Sequence, residues 1–208
     1  WAIAGGPGLG KSTLALQVAL AYQQHGPVLY YDFENGVEAL AYRLRLMCGD
    51  STERMRRLAR RLYIRTSIST LETDLQCVGE RAMIIIDSVQ KLPTMMKYRR
   101  TGLDEWIHRF EALKQRGYFV LMLSEVNRSA YQTAHMGAYK DSGEVEYSAT
   151  FGMQMLASEM GTGMVDCIVV KNRHRPTKGF LSSMLLTEGM YFEEQQSHTN
   201  TDQSKEEF

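Results

Sequence analysis

A glycine-rich segment near the start of the chain restricts its possible folds more than any other feature. Residues 5–12 read Gly-Gly-Pro-Gly-Leu-Gly-Lys-Ser. The apolar residues 1–4 predict a short strand before it, and the Leu-, Ala- and Gln-rich residues 11–25 predict a helix after it. Glycines allow a sharp turn in which backbone N–H groups face outward, so the segment predicts an anion-binding loop at a helix N-terminus.

The spacing Gly-x4-Gly-Lys-Ser is that of a Walker A motif, which binds ATP together with Mg²⁺. We expect Lys11 to reach the β- and γ-phosphates, the Ser12 hydroxyl to coordinate Mg²⁺, and Thr13 to lie near the α-phosphate. The predicted nucleotide-binding residues are Gly5, Gly6, Pro7, Gly8, Leu9, Gly10, Lys11, Ser12 and Thr13.

A second apolar strand ends in a carboxylate. Residues 83–87 read Met-Ile-Ile-Ile-Asp, which is typical of a Walker B strand. Asp87 is therefore expected to hold the Mg²⁺ shell together with Ser12, partly through water. The next residue is Ser88, whereas many P-loop ATPases have a catalytic glutamate at that position, so the base must come from elsewhere.

The best candidate for that base is Glu34, which follows the predicted strand at residues 28–33. Parallel strands that flank a phosphate loop converge on the bound nucleotide at their carboxyl ends. Asp32 is the alternative base. It also remains open that Glu34 only caps the helix predicted after it.

Apolar strands alternate with helical segments through the first two thirds of the chain. Strands are predicted at residues 1–4, 28–33, 62–65, 83–87 and 118–124, with helices between most of them. This alternation predicts an α/β fold with a mainly parallel central sheet and helices on both faces. Later strands at 165–171, 181–186 and 191–192 lack intervening helices and predict an antiparallel edge. We assign residues 1–192 to the ATPase domain and residues 193–208 to a polar, acidic, disordered tail.

Composition excludes a membrane-spanning chain and leaves most other classes open. The 208 residues carry no formal net charge and are 44% hydrophobic, with no apolar run near the roughly 20 residues that span a bilayer. The three cysteines, Cys48, Cys77 and Cys167, are scattered, which predicts reduced, buried thiols in a cytosolic protein. Because Trp1 already belongs to a predicted strand and no Met precedes it, we expect the chain to be part of a longer protein.

Three further segments, in order along the chain, resemble the RecA-like motor domain of DnaB-type replicative helicases. Residues 121–128, Leu-Met-Leu-Ser-Glu-Val-Asn-Arg, are similar to a strand segment that contains Ser-Gln-Leu-Asn-Arg in that family. Residues 140–146, Lys-Asp-Ser-Gly-Glu-Val-Glu, are similar to its Arg-Glu-Ser-Gly-x-Ile-Glu. Residues 171–173, Lys-Asn-Arg, followed by Pro176 and Thr177, are similar to its Lys-x-Arg-x-Gly-Pro-Thr.

The resemblance implies an ATP-driven helicase motor that forms a hexameric ring on single-stranded DNA. Ser124 and Glu125 would sense the γ-phosphate, although Glu125 stands where the family has glutamine. Lys171 and Arg173 would reach the ATP of a neighbouring subunit. Together with the residues of the loop and the strand ends, this gives the expected catalytic residues Lys11, Glu34, Asp87, Glu125, Lys171 and Arg173. The resemblance also implies DNA contacts by Arg128, Lys140, Asp141 and Gly143.

Other clusters of basic or apolar residues give weaker indications of function. Lys97, Arg99 and Arg100 surround Tyr98 after the Walker B strand, where nearby Pro and Gly predict a loop, and basic residues beside an aromatic suit single-stranded DNA. The arginines between residues 54 and 65 are better explained as a solvated helix face. The Met-rich stretch at 153–164 is more typical of a core or an interface than of a cofactor site.

Two alternative functions remain open within the same fold class. Residues 5–18 and 171–173 also resemble RadA-type recombination ATPases. A KaiC-like regulatory ATPase, which forms rings without DNA, would share the nucleotide site. Stimulation of ATP turnover by single-stranded DNA separates this last class from the two DNA-dependent ones.

Overall fold

A computed structural model describes residues 1–49, 51–79, 81–94, 98–135, 137–139, 143–175 and 179–195, without the side chains of residues 58 and 59. Its strands are β1 (Ala2–Gly5), β2 (Val28–Asp32), β3 (Leu62–Arg65), β4 (Met83–Asp87), β5 (Phe119–Glu125), β6 (Phe151–Ala157), β7 (Met164–Asn172), β8 (Gly179–Leu186) and β9 (Phe192–Gln195). Its helices are α1 (Lys11–Tyr22), α2 (Val37–Cys48), α3 (Thr52–Ala59), α4 (Leu71–Val78), α5 (Arg99–Gln115) and α6 (Gly143–Ser148), with 3₁₀ turns at Val89–Lys91 and Arg128–Ala130.

All the described strands belong to one sheet in the order β3-β2-β4-β5-β1-β6-β7-β8-β9. The first six in this order run parallel, and β7, β8 and β9 are antiparallel to their neighbours. The predicted α/β fold with a mainly parallel sheet and an antiparallel edge is therefore confirmed.

Helices cover both faces of the sheet because its central strands are apolar at nearly every position. Side chains alternate between faces along a strand, so Tyr30 and Ile85 join one core cluster while Tyr31 and Ile84 join the other. Helices α1 and α2 pack on the face of Tyr30, through Leu16, Leu40 and other buried residues. Helices α4 and α5 cover the opposite face, with Leu75 and Phe110 among the buried residues.

The register between strands determines which residues lie next to each other at the carboxyl ends of the parallel strands, called here the carboxyl edge of the sheet. On neighbouring strands β2 and β4, Asp32 is paired with Asp87. On neighbouring strands β1 and β5, Gly5 is paired with Glu125. The ends of these four strands therefore form one continuous edge next to the glycine-rich loop.

Strand β6 was not predicted as a strand. Met153 and Met155 in the Met-rich stretch are buried core residues, as predicted, but they lie on a strand that runs parallel to β1. The sequence Phe-Gly-Met-Gln-Met-Leu-Ala contains no β-branched residue, so its local propensity for strand is weak. Pairing with both β1 and β7 stabilises it instead.

Strand β9 corrects the start of the predicted tail. Residues 193–195 pair with β8 as part of the sheet, so the ordered fold continues three residues beyond the predicted boundary at residue 192. The buried Phe192 holds the start of this strand against α1, which local polarity did not reveal. The rest of the predicted tail, residues 196–208, lies outside the described residues.

The predicted loop at Arg99 and Arg100 is wrong, because both residues lie in the first turn of α5. Gly102 is a loop signal in the sequence, but it lies inside the helix. A Cβ on Gly102 would come within 1.6 Å of Thr94 Oγ1, so glycine allows close packing here.

Among the described residues, no helix is both long enough and apolar enough to cross a membrane.

Candidate functional site

The glycine-rich loop has the backbone geometry that a phosphate-binding loop needs. Gly8 and Gly10 have positive φ angles of 78° and 82°, which glycine adopts without strain. Gly10 is the N-cap of α1 and has no side chain with which to cap it. The first N–H groups of α1 are thus available to an anion, whose charge the helix dipole would also favour.

Lys11 lies at the centre of this loop. Its Nζ donates to the carbonyl oxygens of Gly5 and Gly6 at 3.0 and 2.9 Å. Burial lowers the pKa of Lys11, while the charges of Glu34, Asp87 and Glu125 oppose that shift. The charges of the predicted catalytic carboxylates therefore act on the ammonium group that the loop holds.

Asp87 is almost fully buried at the end of β4, with 1% of its surface exposed. Its Oδ2 accepts hydrogen bonds from Tyr30 Oη at 2.8 Å and from Asn35 Nδ2 at 3.1 Å. Burial is the main cause of its raised pKa; hydrogen bonds from Ser12 and Tyr30 oppose the shift, and the charges of Asp32 and Glu34 add to it. The carboxylate sits where a cation would relieve an excess of negative charge.

Asp32 and Glu34 differ sharply in their surroundings. Asp32 Oδ1 accepts from the backbone N–H groups of Glu34 and Asn35 at 3.4 and 3.0 Å, and its Oδ2 accepts from that of Gly36 at 2.6 Å. Asp32 is 1% exposed and organises the turn between β2 and α2. Glu34 is exposed on that turn. The Asp32 carboxylate is therefore engaged by the turn, and Gly36, not Glu34, is the N-cap of α2.

A buried glutamine that sequence reasoning missed supports Ser124 and Glu125. Gln90 Nε2 donates to Ser124 Oγ at 2.9 Å, and its Oε1 accepts from the Glu125 backbone N–H at 3.0 Å. The side chain thus joins the 3₁₀ turn after β4 to the end of β5. Its position three residues after Asp87 was the only signal in the sequence.

Lys171 and Arg173 lie at the opposite edge of the sheet from the phosphate loop, where the parallel strands begin. Lys171 and Ala2 are both paired with Gly152, so Lys171 is level with the start of β1, whereas the phosphate loop follows its end. Lys171 Nζ donates to the Tyr147 carbonyl at 2.9 Å and also to that of Glu146, and Arg173 donates to the Tyr147 carbonyl. Both cations thereby satisfy carbonyl groups at the C-terminus of α6.

The residues predicted to contact DNA are only partly described. Arg99, Arg100 and Arg128 are exposed, and a Cβ on Gly143 would lie 3.8 Å from an Arg100 nitrogen. The fold thus brings Arg100 beside the start of α6. Lys97, Lys140 and Asp141 lie outside the described residues.

A cleft of about 470 Å³ opens beside the phosphate loop. Gly8 and Leu9 line one side, Phe192 lines another, and the connection between β6 and β7 completes it. Its volume is within the range of small-molecule sites, so a nucleotide held by the loop would have room on this side.

The oxygens near Ser12 fit Mg²⁺. Ser12 Oγ, Asp32 Oδ1 and Asp87 Oδ2 all lie within 3.3 Å of one atom, Asn35 Nδ2. Ser12 Oγ and Asp87 Oδ2 are hard oxygen donors that suit Mg²⁺, which is usually bound through one or two protein groups plus phosphate and water. Asp32 Oδ1 already accepts N–H groups of the turn and of Asn35. In the described part of the chain, no group of three or more His, Cys, Asp or Glu side chains forms a separate metal site.

Comparison with curated proteins finds relatives in DNA repair. The chain is 33% identical over 102 residues to the DNA repair protein RadA of Streptococcus pyogenes serotype M6, covering 49% of this chain and 20% of that protein. It is 36% identical over 94 residues to RadA of Mycobacterium tuberculosis, covering 44% of this chain and 18% of that protein. The chain thus spans about a fifth of the length of these relatives.

Comparison with solved structures finds the same fold at low sequence identity. An ATPase domain of known structure superposes with a TM-score of 0.75 at 18% identity, covering 92% of this chain and 82% of that one. A DnaB-like replicative helicase gives the same TM-score and identity, covering 92% of this chain and 56% of the helicase. A KaiC-like protein from Pyrococcus horikoshii OT3 gives 0.70 at 14% identity, covering 94% and 88%.

A family comparison covers both the phosphate loop and the strand that ends in Asp87. A family model described as AAA domain matches residues 1–129, which is more than half of the chain. The chain therefore belongs to the AAA domain family and is a RecA-like P-loop ATPase.

Proposed function

We propose that this domain is the motor of a DnaB-like helicase, which hydrolyses ATP at the subunit interfaces of a hexameric ring on single-stranded DNA. One observation carries the proposal: Lys11, Ser12 and Asp87 meet at the carboxyl edge of the sheet, whereas the exposed Arg173 lies at the opposite edge. A subunit built in this way offers a nucleotide site on one side and a cation for a neighbour's site on the other.

Each residue at the carboxyl edge has a defined task in hydrolysis. Backbone N–H groups of the loop and the Lys11 ammonium hold the phosphates, for which Lys11 must leave the carbonyls of Gly5 and Gly6. Ser12 and Asp87 would hold Mg²⁺, which when bound would neutralise charge on the phosphates. Glu34 orients the attacking water and takes its proton.

Arg173 acts in trans, together with Lys171. Both are too far from the phosphate loop to serve their own nucleotide, since the end of β7 is level with the start of β1, across the intervening β6. An arginine supplied across an interface compensates charge that develops on the transferred phosphoryl group. Hydrolysis would then depend on assembly, which is consistent with a ring.

DNA contact is proposed for the exposed basic residues that follow β4 and β5. Arg99, Arg100 and Arg128 supply positive charge to a phosphate backbone, and Tyr98, 68% exposed, offers a surface on which a base can stack. Lys97 is included as a member of the basic cluster around Tyr98, and Lys140, Asp141 and Gly143 because they belong to the helicase-like segment 140–146. Glu125 would link the γ-phosphate to these residues through the end of β5.

Two other functions have specific support. A RadA-like recombination ATPase is favoured by 33% identity over 102 residues to the DNA repair protein RadA. A KaiC-like regulatory ATPase without DNA is the second alternative, because a KaiC-like protein shares the fold with a TM-score of 0.70.

The proposed location is the cytoplasm, consistent with three cysteines that form no disulfide among the described residues. Cys48 and Cys167 are buried, as predicted, whereas Cys77 is exposed.

ATP turnover with and without single-stranded DNA tests the proposal. The motor function predicts that an unstructured oligonucleotide stimulates turnover and that stimulation falls steeply with salt, because phosphate contacts release counterions. Unchanged turnover would leave the KaiC-like alternative. If turnover is stimulated, unwinding of a forked duplex by the full-length protein separates a helicase from a recombination ATPase.

A further inference from the structure

Asn35 holds a central position at the edge of the sheet that no motif assigns to it. Its Nδ2 lies 2.9 Å from Asp32 Oδ1, 3.1 Å from Asp87 Oδ2 and 3.3 Å from Ser12 Oγ. These oxygens come from the ends of β2 and β4 and from the first turn of α1. One amide group therefore connects three separate elements at the proposed magnesium site.

The backbone of Asn35, like its side chain, is hydrogen-bonded to Asp32. Its N–H donates to Asp32 Oδ1 at 3.0 Å, within the same turn that carries Glu34. Helix capping does not explain the residue, because Gly36 is the N-cap of α2 and the Asn35 amide group points to Asp87 and Ser12. The amide thus links the turn of the proposed base directly to the groups that would hold the metal.

Chemistry explains why an amide suits this position. Asp32 and Asp87 are both buried and are paired on adjacent parallel strands, so their carboxylates repel each other. The Asn35 NH₂ group donates to both without adding a positive charge that would compete with a metal ion. Groups behind metal ligands commonly orient them in this way.

We propose that Asn35 is a positioning residue for the magnesium site. Its NH₂ group bonds to Asp87 Oδ2 with Ser12 Oγ close by, and so fixes the two groups that would hold Mg²⁺; it also ties the turn of Glu34 to them. The inference rests on the proposed ATPase mechanism but assigns a residue that the mechanism does not need for chemistry. Asn35 therefore affects metal affinity, whereas Glu34 affects the rate of hydrolysis.

The test measures binding of a fluorescent, non-hydrolysable ATP analogue as Mg²⁺ is titrated, with a parallel titration in EDTA. Asn35→Leu keeps the size of the side chain and removes its donors, and Asn35→Ala removes the donors without adding bulk. In both variants we expect the Mg²⁺ concentration for half-maximal enhancement of binding to rise about tenfold or more. Affinity in EDTA should stay within about twofold of wild type, because the loop and Lys11 are unchanged.

Gln24→Leu is the matched control, because it removes an exposed amide near the other end of α1. It should leave both titrations unchanged. An unchanged Mg²⁺ midpoint in both Asn35 variants would overturn the positioning role. Equal loss of affinity with Mg²⁺ and with EDTA would also overturn it, since that pattern indicates damage to the loop or the fold.

The outcome for the wild-type protein separates this inference from the proposed function. If the wild-type protein shows no binding of the analogue, both fail. If wild type binds with a clear Mg²⁺ dependence, and the Asn35 variants match it, only the role of Asn35 fails. A direct readout by Mn²⁺ electron paramagnetic resonance, with the same variants and nucleotide, should give the same order of metal affinities.

Discussion

The phenyl ring of Phe192 packs so closely on Gly10 that a Cβ at Gly10 would come within 2.6 Å of the Phe192 Cζ. The backbone of Phe192 is also held on both sides by one side chain: Gln17 Nε2 donates to its carbonyl at 3.0 Å, and Gln17 Oε1 accepts from its N–H at 2.9 Å. The last described strand therefore supports the phosphate loop, although it lies far from it in sequence.

Phe192→Ala should destabilise the domain by about 3–5 kcal/mol, the usual range for truncation of a buried phenylalanine. Denaturant unfolding measures this change. Phe180→Ala is the control, because Phe180 is 56% exposed on the neighbouring strand β8 and its truncation should cost only about 0.5 kcal/mol. Equal losses for the two variants would show that packing of the ring on Gly10 contributes little, since the bonds from Gln17 to the backbone remain in both.

Lys11→Ala should abolish tight nucleotide binding or turnover, because it removes the positive charge that contacts the β- and γ-phosphates. Lys11 also ties together the Gly5 and Gly6 carbonyls, so the unfolding midpoint must be measured alongside. A folded variant with wild-type turnover would contradict the assigned role of this loop.

Asp32→Asn should mainly affect stability. The native carboxylate accepts three backbone N–H groups, and an amide at this position would set its own NH₂ group against some of them. We expect a loss of about 1–3 kcal/mol in the free energy of unfolding. Turnover per folded molecule should fall far less than in a Glu34 variant; the reverse order would make Asp32 the base.

Much of the nucleotide site could be predicted because its signals are local. The glycines, Lys11 and Ser12 are contiguous, and the apolar strand at residues 83–87 ends directly in Asp87. Parallel strands then bring these segments to one edge by a general rule of sheet topology. Asp32 and Glu34 could not be separated from sequence, since the distinction depends on which carboxylate accepts the N–H groups of the turn.

The unpredicted parts depend on contacts between distant segments. Strand β6 lacks β-branched residues and forms because β1 and β7 pair with it. Gln90 and Asn35 have no motif of their own, and their roles follow from oxygens and N–H groups that only the fold brings together. Likewise, the support that Phe192 gives to the phosphate loop follows from its contacts with Gly10 and Gln17, which are distant in sequence.

Arg173→Ala should bind ATP nearly normally but hydrolyse it at least about a hundredfold more slowly in assembled protein, because transition-state charge is left uncompensated. Loss of its bond to the Tyr147 carbonyl should reduce stability only slightly, since the residue is exposed. A wild-type rate in the assembled variant would contradict a role for Arg173 at a neighbour's nucleotide site and would leave it as a cap for the C-terminus of α6.

Mixing Arg173→Ala with Lys11→Ala tests whether the arginine acts in trans. Mixed interfaces that pair an intact loop with an intact Arg173 should regain activity, provided that subunits exchange and that neighbouring sites need not fire together. Turnover of the mixture should exceed the sum of the two separate proteins. Absence of any recovery, with exchange demonstrated by labelled subunits, would place the arginine in cis.

The most direct test of the ATPase mechanism is a paired measurement of ATP binding and hydrolysis in Glu34→Gln. The amide keeps the shape of the side chain and removes the base, so affinity for Mg²⁺ and ATP should match wild type while turnover falls roughly 10²- to 10⁴-fold. Glu38→Gln, an exposed glutamate in the first turn of α2, should leave both unchanged. A Glu34→Gln protein that hydrolyses ATP at the wild-type rate would contradict the assignment of the base on which the mechanism depends.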